Sequence, residues 1–320
     1  MKIVVLERNS VGRDVDVSCY EELGNVTYYD NTVTVEEVGE RIQDAEIVIA
    51  NKAPLRTEAL EKAPNLKLIC ILATGYDNCD VRYCKERGIK VTNVVNYSTA
   101  MVAQHTITLA LSLSQKIVHY DQYVKSGAYS AQSSFSSFSL PFAELDGKTW
   151  GIVGMGNIGS RVARIASALG CRVIYHSLTG RSKQVEYEQV DKDTLLAQSD
   201  YISLHCPLSD LSKGFMDADA FQKMKSSAIL INVARGPVVN TQDLYDALME
   251  GQIAAAGLDV LDKEPMEASN PLGAIKDSSK LIITPHLAWA SVEARTRCVT
   301  GVYENIKAYL RGEERNIVNL

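Results

Sequence analysis

The sequence predicts an α/β protein of two domains, each built around a parallel β-sheet, with the second domain inserted into the first. Its 320 residues exceed what one compact core usually accommodates. Short apolar runs alternate with stretches of helical periodicity, which is the pattern of repeated βαβ units. A last helical stretch, at about 291–311, follows a complete second sheet and is expected to pack on the first domain.

The first sheet is predicted from four apolar runs in the opening third of the chain, at 3–6, 47–50, 68–72 and 89–92. Polar segments follow the second and the third run: N-K-A-P at 51–54 and A-T-G-Y-D-N at 73–78. Loops at the carboxyl ends of strands are where open α/β sheets bind their ligands. Both segments are therefore candidate binding loops.

A long amphipathic helix is predicted next, from about Thr99 to His119, with Ser98 or Thr99 as its cap. The stretch 126–140 is dominated by serine and phenylalanine and shows no clear period. We therefore expect it to form a loop or connector.

A second, more regular alternation begins at Lys148 and predicts a self-contained doubly wound sheet. Its strands are expected near 150–153, 172–176, 201–205, 228–233, 254–259 and 281–283, with helices such as 158–169 and 241–249 between them. The predicted domains are 1–98 together with 292–320, and 99–291. Both have the pattern of Rossmann-like or flavodoxin-like folds.

Composition excludes several classes of function. A formal charge of −6 without clustered Lys and Arg argues against nucleic-acid and anionic-membrane partners. No apolar segment approaches a membrane helix, and the N-terminus reads as a strand rather than as a signal peptide, so a cytoplasmic protein is expected. The seven scattered cysteines lack C-x-x-C spacing, which predicts buried thiols and no metal site.

The glycine-rich turn Gly154-Met155-Gly156-Asn157-Ile158-Gly159 lies between a predicted strand and a predicted helix. In that context the first glycine permits a tight turn, the second lets the backbone approach a pyrophosphate, and the third allows close helix packing. The helix N-terminus then offers N–H groups to phosphate. The turn predicts a dinucleotide cofactor.

The end of the next strand bears on which dinucleotide is bound. An NAD enzyme usually carries an acid there for the ribose hydroxyls, but this chain has Ser177. Thr179, Arg181 and the following Ser182-Lys183 add a hydroxyl-rich, cationic loop suited to a 2′-phosphate. This favours NADP(H), although a serine also binds ribose hydroxyls and an exposed basic loop is commonly plain surface.

The chain resembles the D-isomer-specific 2-hydroxyacid dehydrogenase family over essentially its whole length, and within it the glycerate dehydrogenase or hydroxypyruvate reductase branch. The resemblance rests on ordered motifs: the 73–78 loop, V-A-Q-H at 102–105, the glycine turn, N-V-A-R-G at 232–236, G-L-D-V at 257–260, E-P at 264–265 and P-H-L-A-W-A at 285–290. Several spaced motifs in order are more specific than any one of them.

The resemblance implies three catalytic residues. Arg235 would bind the substrate carboxylate and carbonyl, Glu264 would pair with His286, and His286 would exchange the proton with the substrate oxygen. The chemistry agrees, because reduction of a 2-keto acid needs hydride delivery and a proton donor near neutral pH. A planar guanidinium can hold a carboxylate through two hydrogen bonds.

Further binding residues are expected around this centre. The resemblance implies that Thr74, Gly75 and Tyr76 hold the substrate carboxylate through backbone N–H groups, in addition to Arg235. Lys52, in another loop of the first domain, is a candidate for a further substrate contact, although a solvated surface lysine is the more common case. The cofactor is assigned to the glycine turn and to Ser177 and its loop, together with a set from other strand ends and the long helix: Thr106, Cys206, Pro207, Val233, Ala234 and Asp259. His105 and His205 are expected to have packing or cofactor-lining roles.

The predicted activity is reversible hydride transfer between NAD(P)H and a small 2-keto acid, in the cleft between the domains. The substrates expected are hydroxypyruvate or glyoxylate, giving D-glycerate or glycolate. One alternative is specificity for D-lactate or a bulkier 2-hydroxy acid. Another is a non-enzymatic, dinucleotide-sensing corepressor, against which the retained Arg235, Glu264 and His286 argue. The resemblance further implies a homodimer.

Overall fold

A computed structural model describes residues 1–181 and 185–320 of the chain. They form two compact units, one comprising Met1–Ser98 with Trp289–Leu320 and the other Thr99–Ala288. Each unit contains one sheet whose described strands all pair in parallel. The predicted α/β class with parallel sheets is confirmed.

The sheet of the first unit contains β1 (Lys2–Val5), β2 (Asn25–Tyr28), β3 (Ile47–Ala50), β4 (Leu68–Ile71) and β5 (Lys90–Thr92), in the order β2-β1-β3-β4-β5. Strands β3 and β4 are buried along their whole length, because apolar side chains point to both faces and helices cover them. The order reverses between β1 and β3, which makes their carboxyl ends the switch point of this sheet.

Three α-helices accompany these strands: α1 (Val35–Arg41), α2 (Thr57–Leu60) and α3 (Val81–Glu86). Helix α1 begins with a capping box, in which Thr34 and Glu37 satisfy each other's backbone N–H groups. Short 3₁₀ turns cover Arg8–Val11 and Ser18–Leu23.

The second unit starts with α4 (Thr99–Ser114), which is shorter than the predicted helix to His119. Lys116 takes a left-handed conformation with φ 55°, after which α5 (Ile117–Lys125) and α6 (Ala128–Ala131) follow. The Ser114 hydroxyl bonds to Ala143 and Tyr201, and Lys116 Nζ donates to the Ser279 carbonyl. Because of these tertiary contacts, the helix ends at Ser114 although the helical periodicity of the sequence continues to His119.

The described strands of the second sheet are β6 (Thr149–Val153), β7 (Arg172–His176), β8 (Glu188–Gln189), β9 (Tyr201–Leu204), β10 (Ile229–Asn232), β11 (Ala255–Leu258) and β12 (Leu281–Ile283), in the order β12-β11-β10-β9-β6-β7-β8. The order reverses between β6 and β9, so this sheet also has its switch point at the end of its first strand.

Helices α7 (Asn157–Ala168), α8 (Lys192–Gln198), α9 (Ala218–Lys223) and α10 (Thr241–Glu250) connect these strands, with 3₁₀ turns at Gly236–Val238 and Pro271–Ala274. Two apolar clusters fill the two faces of this sheet, one around Trp150 and Leu113, the other around Phe221 and Leu230. The last helix, α11 (Val292–Leu310), belongs to the first unit.

Candidate active site

The glycine turn is shaped by close backbone contacts at its first and last positions. Gly154 has φ 93°, and a Cβ there would lie 3.0 Å from the backbone of His205 and Cys206. A Cβ on Gly159 would lie 2.2 Å from the Gly154 carbonyl oxygen. Both positions therefore need glycine, the first for its conformation and the last for the contact of α7 with the turn.

The middle glycine of the turn faces open space instead. A Cβ on Gly156 would meet no atom within 4 Å, and Gly156 is the N-cap of α7 without a side-chain cap. The turn leaves β6 at the switch point of the sheet, where the loop 205–207 also ends β9. An open cradle at an uncapped helix N-terminus fits the pyrophosphate of a dinucleotide.

The loop after β7 carries the residues predicted to select the cofactor. Ser177 and its neighbours form a turn in which the Gly180 N–H donates to the Ser177 carbonyl at 3.0 Å. Ser177 is half-buried, while Thr179 and Arg181 are exposed. The predicted contributors Ser182 and Lys183 lie outside the described residues.

The two predicted acid–base residues are brought together at the carboxyl ends of β11 and β12. His286 Nδ1 and Glu264 Oε2 are 2.6 Å apart, although 22 residues separate them along the chain. Glu264 Oε1 also accepts a hydrogen bond from the backbone N–H of Leu261 at 2.9 Å. The Glu264 carboxylate thus orients the imidazole through Oε2 and is itself held in place through Oε1.

The bond to Glu264 determines what His286 can do chemically. With Nδ1–H donated to the carboxylate, Nε2 carries either a proton to give or a lone pair to receive one. No described residue hydrogen-bonds to Nε2. The ring is partly exposed, and His286 holds a left-handed backbone conformation with φ 56°. Such conformations persist where surrounding contacts impose them.

Arg235 follows β10, the strand beside β11. It lies next to the loop after β11, because a Cβ on Gly236 would overlap the Leu261 carbonyl group at 1.9 Å. Asn232 fixes the Arg235 backbone by donating Nδ2 to its carbonyl at 3.0 Å. The loops that carry Arg235 and Glu264 are therefore packed against each other at this edge of the sheet.

Asp259 holds the segment that carries His286, a role that sequence reasoning missed. Its buried carboxylate accepts from the Thr284 hydroxyl at 2.6 Å and from the backbone N–H groups of Leu287 and Ala288 at 2.7 and 2.8 Å. The Asp259 carbonyl accepts the His286 N–H at 2.9 Å. These bonds impose the left-handed backbone of His286. The G-L-D-V motif marks Asp259, but nothing local indicates its partners.

His105, on α4, joins this network. Its Nε2 lies 2.9 Å from Thr284 Oγ1, whose proton goes to Asp259, so the imidazole N–H is the donor to Thr284. His105 Nε2 is 3.5 Å from the Asp259 carboxylate. The ring therefore supports the His286 segment from the helix.

The other predicted cofactor residues differ in their exposure to solvent. Cys206 and Ala234 are buried at strand ends, Val233 is half-buried and Pro207 is exposed beside the glycine turn. Thr106 is fully buried within α4, and its hydroxyl donates to the Val102 carbonyl at 2.8 Å. Its side chain has no exposed surface, because helical register turns it into the core.

His205 directly follows β9, and one nitrogen of its ring is buried without a hydrogen-bond partner in the described part of the chain. Nε2 lies 3.0 Å from the Ser203 hydroxyl, which accepts from Trp150 Nε1 at 2.9 Å, and Nδ1 has no hydrogen-bond partner among the described residues. Burial without a nearby carboxylate lowers the pKa of His205 to about 3. The imidazole is therefore neutral near pH 7 and acts by packing.

This gives a prediction for stability in acid. Between the unfolded pKa of about 6.5 and the folded value, the unfolded chain binds one more proton, so stability falls as pH falls. His205 should account for about 2 kcal/mol of lost unfolding free energy at pH 5. Urea titrations at pH 7 and pH 5 should show a smaller loss for His205→Asn than for wild type. His119→Asn is the control, and equal losses in all three proteins would contradict the prediction.

In the first unit, the predicted substrate loop is anchored through Thr74. Its hydroxyl donates to the Val94 carbonyl at 3.0 Å, and Asn93 Nδ2 donates to its carbonyl at 2.7 Å. The backbone N–H groups of Thr74, Gly75 and Tyr76 donate to no other residue in the described part of the chain. A fixed loop whose N–H groups donate to no described residue is suited to binding a carboxylate.

Comparison with known proteins finds relatives over the whole length of the chain. Residues 107–288 match the family model described as "D-isomer specific 2-hydroxyacid dehydrogenase, NAD binding domain". A hydroxypyruvate reductase from Blautia hydrogenotrophica is 41% identical over 325 residues, covering 100% of both chains. A glycerate dehydrogenase from Methylorubrum extorquens is 38% identical, covering 99% of this chain and 98% of the relative.

Solved structures are similar over the same length. The D-lactate dehydrogenase of Aquifex aeolicus, complexed with NAD and lactic acid, has a TM-score of 0.86 at 28% identity, covering 100% of this chain and 99% of that one. Among the described residues, no helix has both the length and the apolar character needed to cross a membrane.

Proposed function

Because the chain belongs to the D-isomer-specific 2-hydroxyacid dehydrogenase family, whose members are NAD(P)-dependent oxidoreductases, we propose that it reduces hydroxypyruvate to D-glycerate and glyoxylate to glycolate. The observation that carries the acid–base chemistry is the 2.6 Å hydrogen bond between His286 and Glu264. The choice of substrates follows the names of two relatives, the hydroxypyruvate reductase and the glycerate dehydrogenase.

In this proposal His286 is the general acid of the reduction and the general base of the reverse reaction. When bound, the nicotinamide supplies the hydride to C2 of the keto acid. His286 Nε2 gives its proton to the substrate oxygen, and the Glu264 carboxylate stabilises the charged imidazolium beforehand. Asp259 is a positioning residue, because it holds the backbone on either side of His286.

Arg235 and the 74–76 loop bind the anionic end of the substrate in this proposal. The guanidinium holds the carboxylate and polarises the adjacent carbonyl, which favours hydride attack. The N–H groups of Thr74, Gly75 and Tyr76 add neutral donors, and Lys52, which is exposed, adds a cation.

For the cofactor we propose a preference for NADP(H) over NAD(H). The turn 154–159 and the N-terminus of α7 would hold the pyrophosphate. The observation in favour of NADP(H) is that β7 is followed by Ser177, with Thr179 and Arg181 exposed beyond it. An NAD enzyme usually has a carboxylate at the position of Ser177, and a carboxylate there would repel the 2′-phosphate of NADP(H). The rest of the cofactor site would be lined by residues that follow neighbouring strands, namely Cys206, Pro207, Val233, Ala234 and Asp259.

The test is an activity matrix of hydroxypyruvate, glyoxylate, pyruvate and 2-ketoisocaproate, each with NADPH and NADH. We expect kcat/KM for hydroxypyruvate to exceed that for pyruvate by at least about tenfold, because the proposed specificity requires a hydrogen bond to the substrate hydroxyl that pyruvate cannot make. Comparable or better turnover of pyruvate would overturn the substrate assignment. Faster turnover with NADH would overturn the cofactor preference.

We further propose that the protein is a homodimer formed through its second unit. The segment from α5 to residue 142 exposes six large apolar side chains, among them Phe135 and Phe138 at 89% and 84% exposure. Exposed apolar side chains of this kind are characteristic of a protein–protein interface. Because the family resemblance implies a homodimer, we propose that a second copy of this chain covers them. Residues of α4 are largely buried within the unit, so they contribute less than the 117–142 segment.

The prediction is that Phe135→Ser combined with Phe138→Ser shifts the protein from dimer to monomer. Exposed phenylalanines contribute to association only when a partner covers them, so the folded unit should be unaffected. Light scattering coupled to size exclusion at micromolar concentration measures the mass. A monomeric wild type, or a double variant that remains dimeric, would contradict the proposal.

We place the protein in the cytoplasm, where NADPH and small 2-keto acids are available. All seven cysteines are free thiols, and six of them are buried. Unpaired thiols are typical of reducing compartments.

A further inference from the structure

A buried carboxylate at the carboxyl edge of the first sheet holds the loop that follows β3. Glu7 lies two residues after the end of β1 and is 8% exposed. Its Oε2 accepts hydrogen bonds from the backbone N–H groups of Asn51, Lys52 and Ala53, at 2.8, 2.9 and 2.8 Å. Its Oε1 lies 3.0 Å from the Lys52 nitrogen. Successive N–H groups converging on one point form an anion-binding nest, and the anion here is the protein's own side chain.

The nest lies at the switch point of the sheet, between β1 and β3. Parallel sheets bind ligands in the crevice at that point. Because Glu7 occupies the N–H groups of 51–53, the backbone of this loop cannot bind an external anion. Lys52, exposed between the buried Asn51 and Ala53, is what the loop presents to solvent.

The same loop is joined to the segment 73–78. Asn78 Nδ2 donates to the Ala53 carbonyl at 2.8 Å, and the Leu55 N–H donates to the Asn78 carbonyl at 2.9 Å. Leu55 also pairs with Cys79 in a parallel bridge. A displacement of the 51–54 loop therefore moves the C-terminal end of the segment that contains Thr74, Gly75 and Tyr76.

We infer that Glu7 is a positioning residue for the 2-keto acid: its carboxylate fixes the loop that presents Lys52 and, through Asn78, the loop that presents the N–H groups of residues 74–76. The inference rests on the proposed function, which assigns these two loops to the substrate. Glu7 touches neither substrate nor cofactor. Its loss should weaken substrate binding and leave cofactor binding, which belongs to the other unit, unchanged.

The test is Glu7→Gln, which keeps the shape of the side chain but removes its charge and replaces one of its two acceptor oxygens, both of which face backbone N–H groups, by an N–H₂ donor. We expect KM for hydroxypyruvate to rise at least about tenfold, since small displacements of substrate-positioning groups have large kinetic effects. The dissociation constant for the reduced cofactor, measured by its fluorescence, should stay at the wild-type value. Amide hydrogen exchange at 51–53 should become faster.

Glu46→Gln is the matched control, because Glu46 also accepts a backbone hydrogen bond, from Lys2 at 3.0 Å, but at the opposite edge of the same sheet. Its KM should be that of wild type. Asn78→Asp is the second variant, since it removes the donor to Ala53 without changing size, and it should raise KM in the same direction as Glu7→Gln.

Three outcomes would overturn the inference. In the first, Glu7→Gln keeps the wild-type KM in an enzyme that is otherwise active. In the second, Glu7→Gln and Glu46→Gln raise KM alike, or cofactor affinity falls together with substrate affinity, which would indicate general destabilisation. In the third, the wild-type protein reduces no 2-keto acid. The proposed function would then be wrong, and the inference about Glu7 with it. The first two leave the proposed function intact, so the failures are distinguishable.

Discussion

Replacing His286 by asparagine should lower kcat for keto-acid reduction by about 10²- to 10⁴-fold, the usual contribution of a positioned general acid. Asparagine is the suitable replacement, because His286 has φ 56° and asparagine tolerates the left-handed region better than most residues. The Asp259 bonds to the neighbouring N–H groups should then survive. Steady-state kinetics with saturating cofactor measures the effect.

The control for this variant is His119→Asn, which removes an imidazole from α5 and should leave kcat unchanged. Cofactor affinity of His286→Asn should also match wild type, since the ring is not expected to hold the dinucleotide. A His286→Asn enzyme with wild-type kcat would show that the proton comes from another group and would remove the acid–base assignment.

Replacing Arg235 by lysine should lower kcat/KM by about 10²- to 10³-fold, because an ammonium cannot reproduce the two-pronged hydrogen bonding of a guanidinium to a carboxylate. Charge is conserved in this variant, so the effect isolates geometry. KM should rise and kcat should fall together, since the same guanidinium is expected to polarise the carbonyl.

Arg172→Lys provides the matched control for Arg235→Lys. Arg172 begins β7 at the opposite edge of the same sheet and pairs with Glu188 at 2.8 Å on the surface. Its kcat/KM should be that of wild type. If Arg235→Lys retained wild-type kcat/KM, a role for Arg235 in gripping the carboxylate would be excluded.

The fold could be predicted largely from the sequence because its central strands are uniformly apolar. Strands β3, β4, β9 and β10 are buried along their length and read directly as short apolar runs. The edge strands β2 and β8 were missed, since their residues are exposed or half-buried and carry no such signal. The end of α4 was missed because side-chain contacts beyond the helix, made by Ser114 and Lys116, override its periodicity.

The motifs predicted which residues belong to the candidate site but not how these residues contact one another. Sequence nominated Glu264 and His286, but their 2.6 Å contact depends on how β11 and β12 pair. Asp259 was nominated for the cofactor, which stays a prediction; the bonds of its carboxylate to the segment around His286 were missed, because they depend on the same pairing of strands. Glu7 was not nominated, because one acid after a first strand has no signature until the loop it holds is seen.

Hydride transfer from the nicotinamide to C2 of hydroxypyruvate can be followed with deuterium. The enzyme is given hydroxypyruvate and a nicotinamide cofactor deuterated at C4 on the transferred face, and the product is analysed by mass spectrometry and chiral chromatography. We expect D-glycerate with deuterium at C2, formed by wild type and formed at least about 100-fold more slowly by His286→Asn. L-glycerate, a product without deuterium at C2, or no turnover of any 2-keto acid would contradict it.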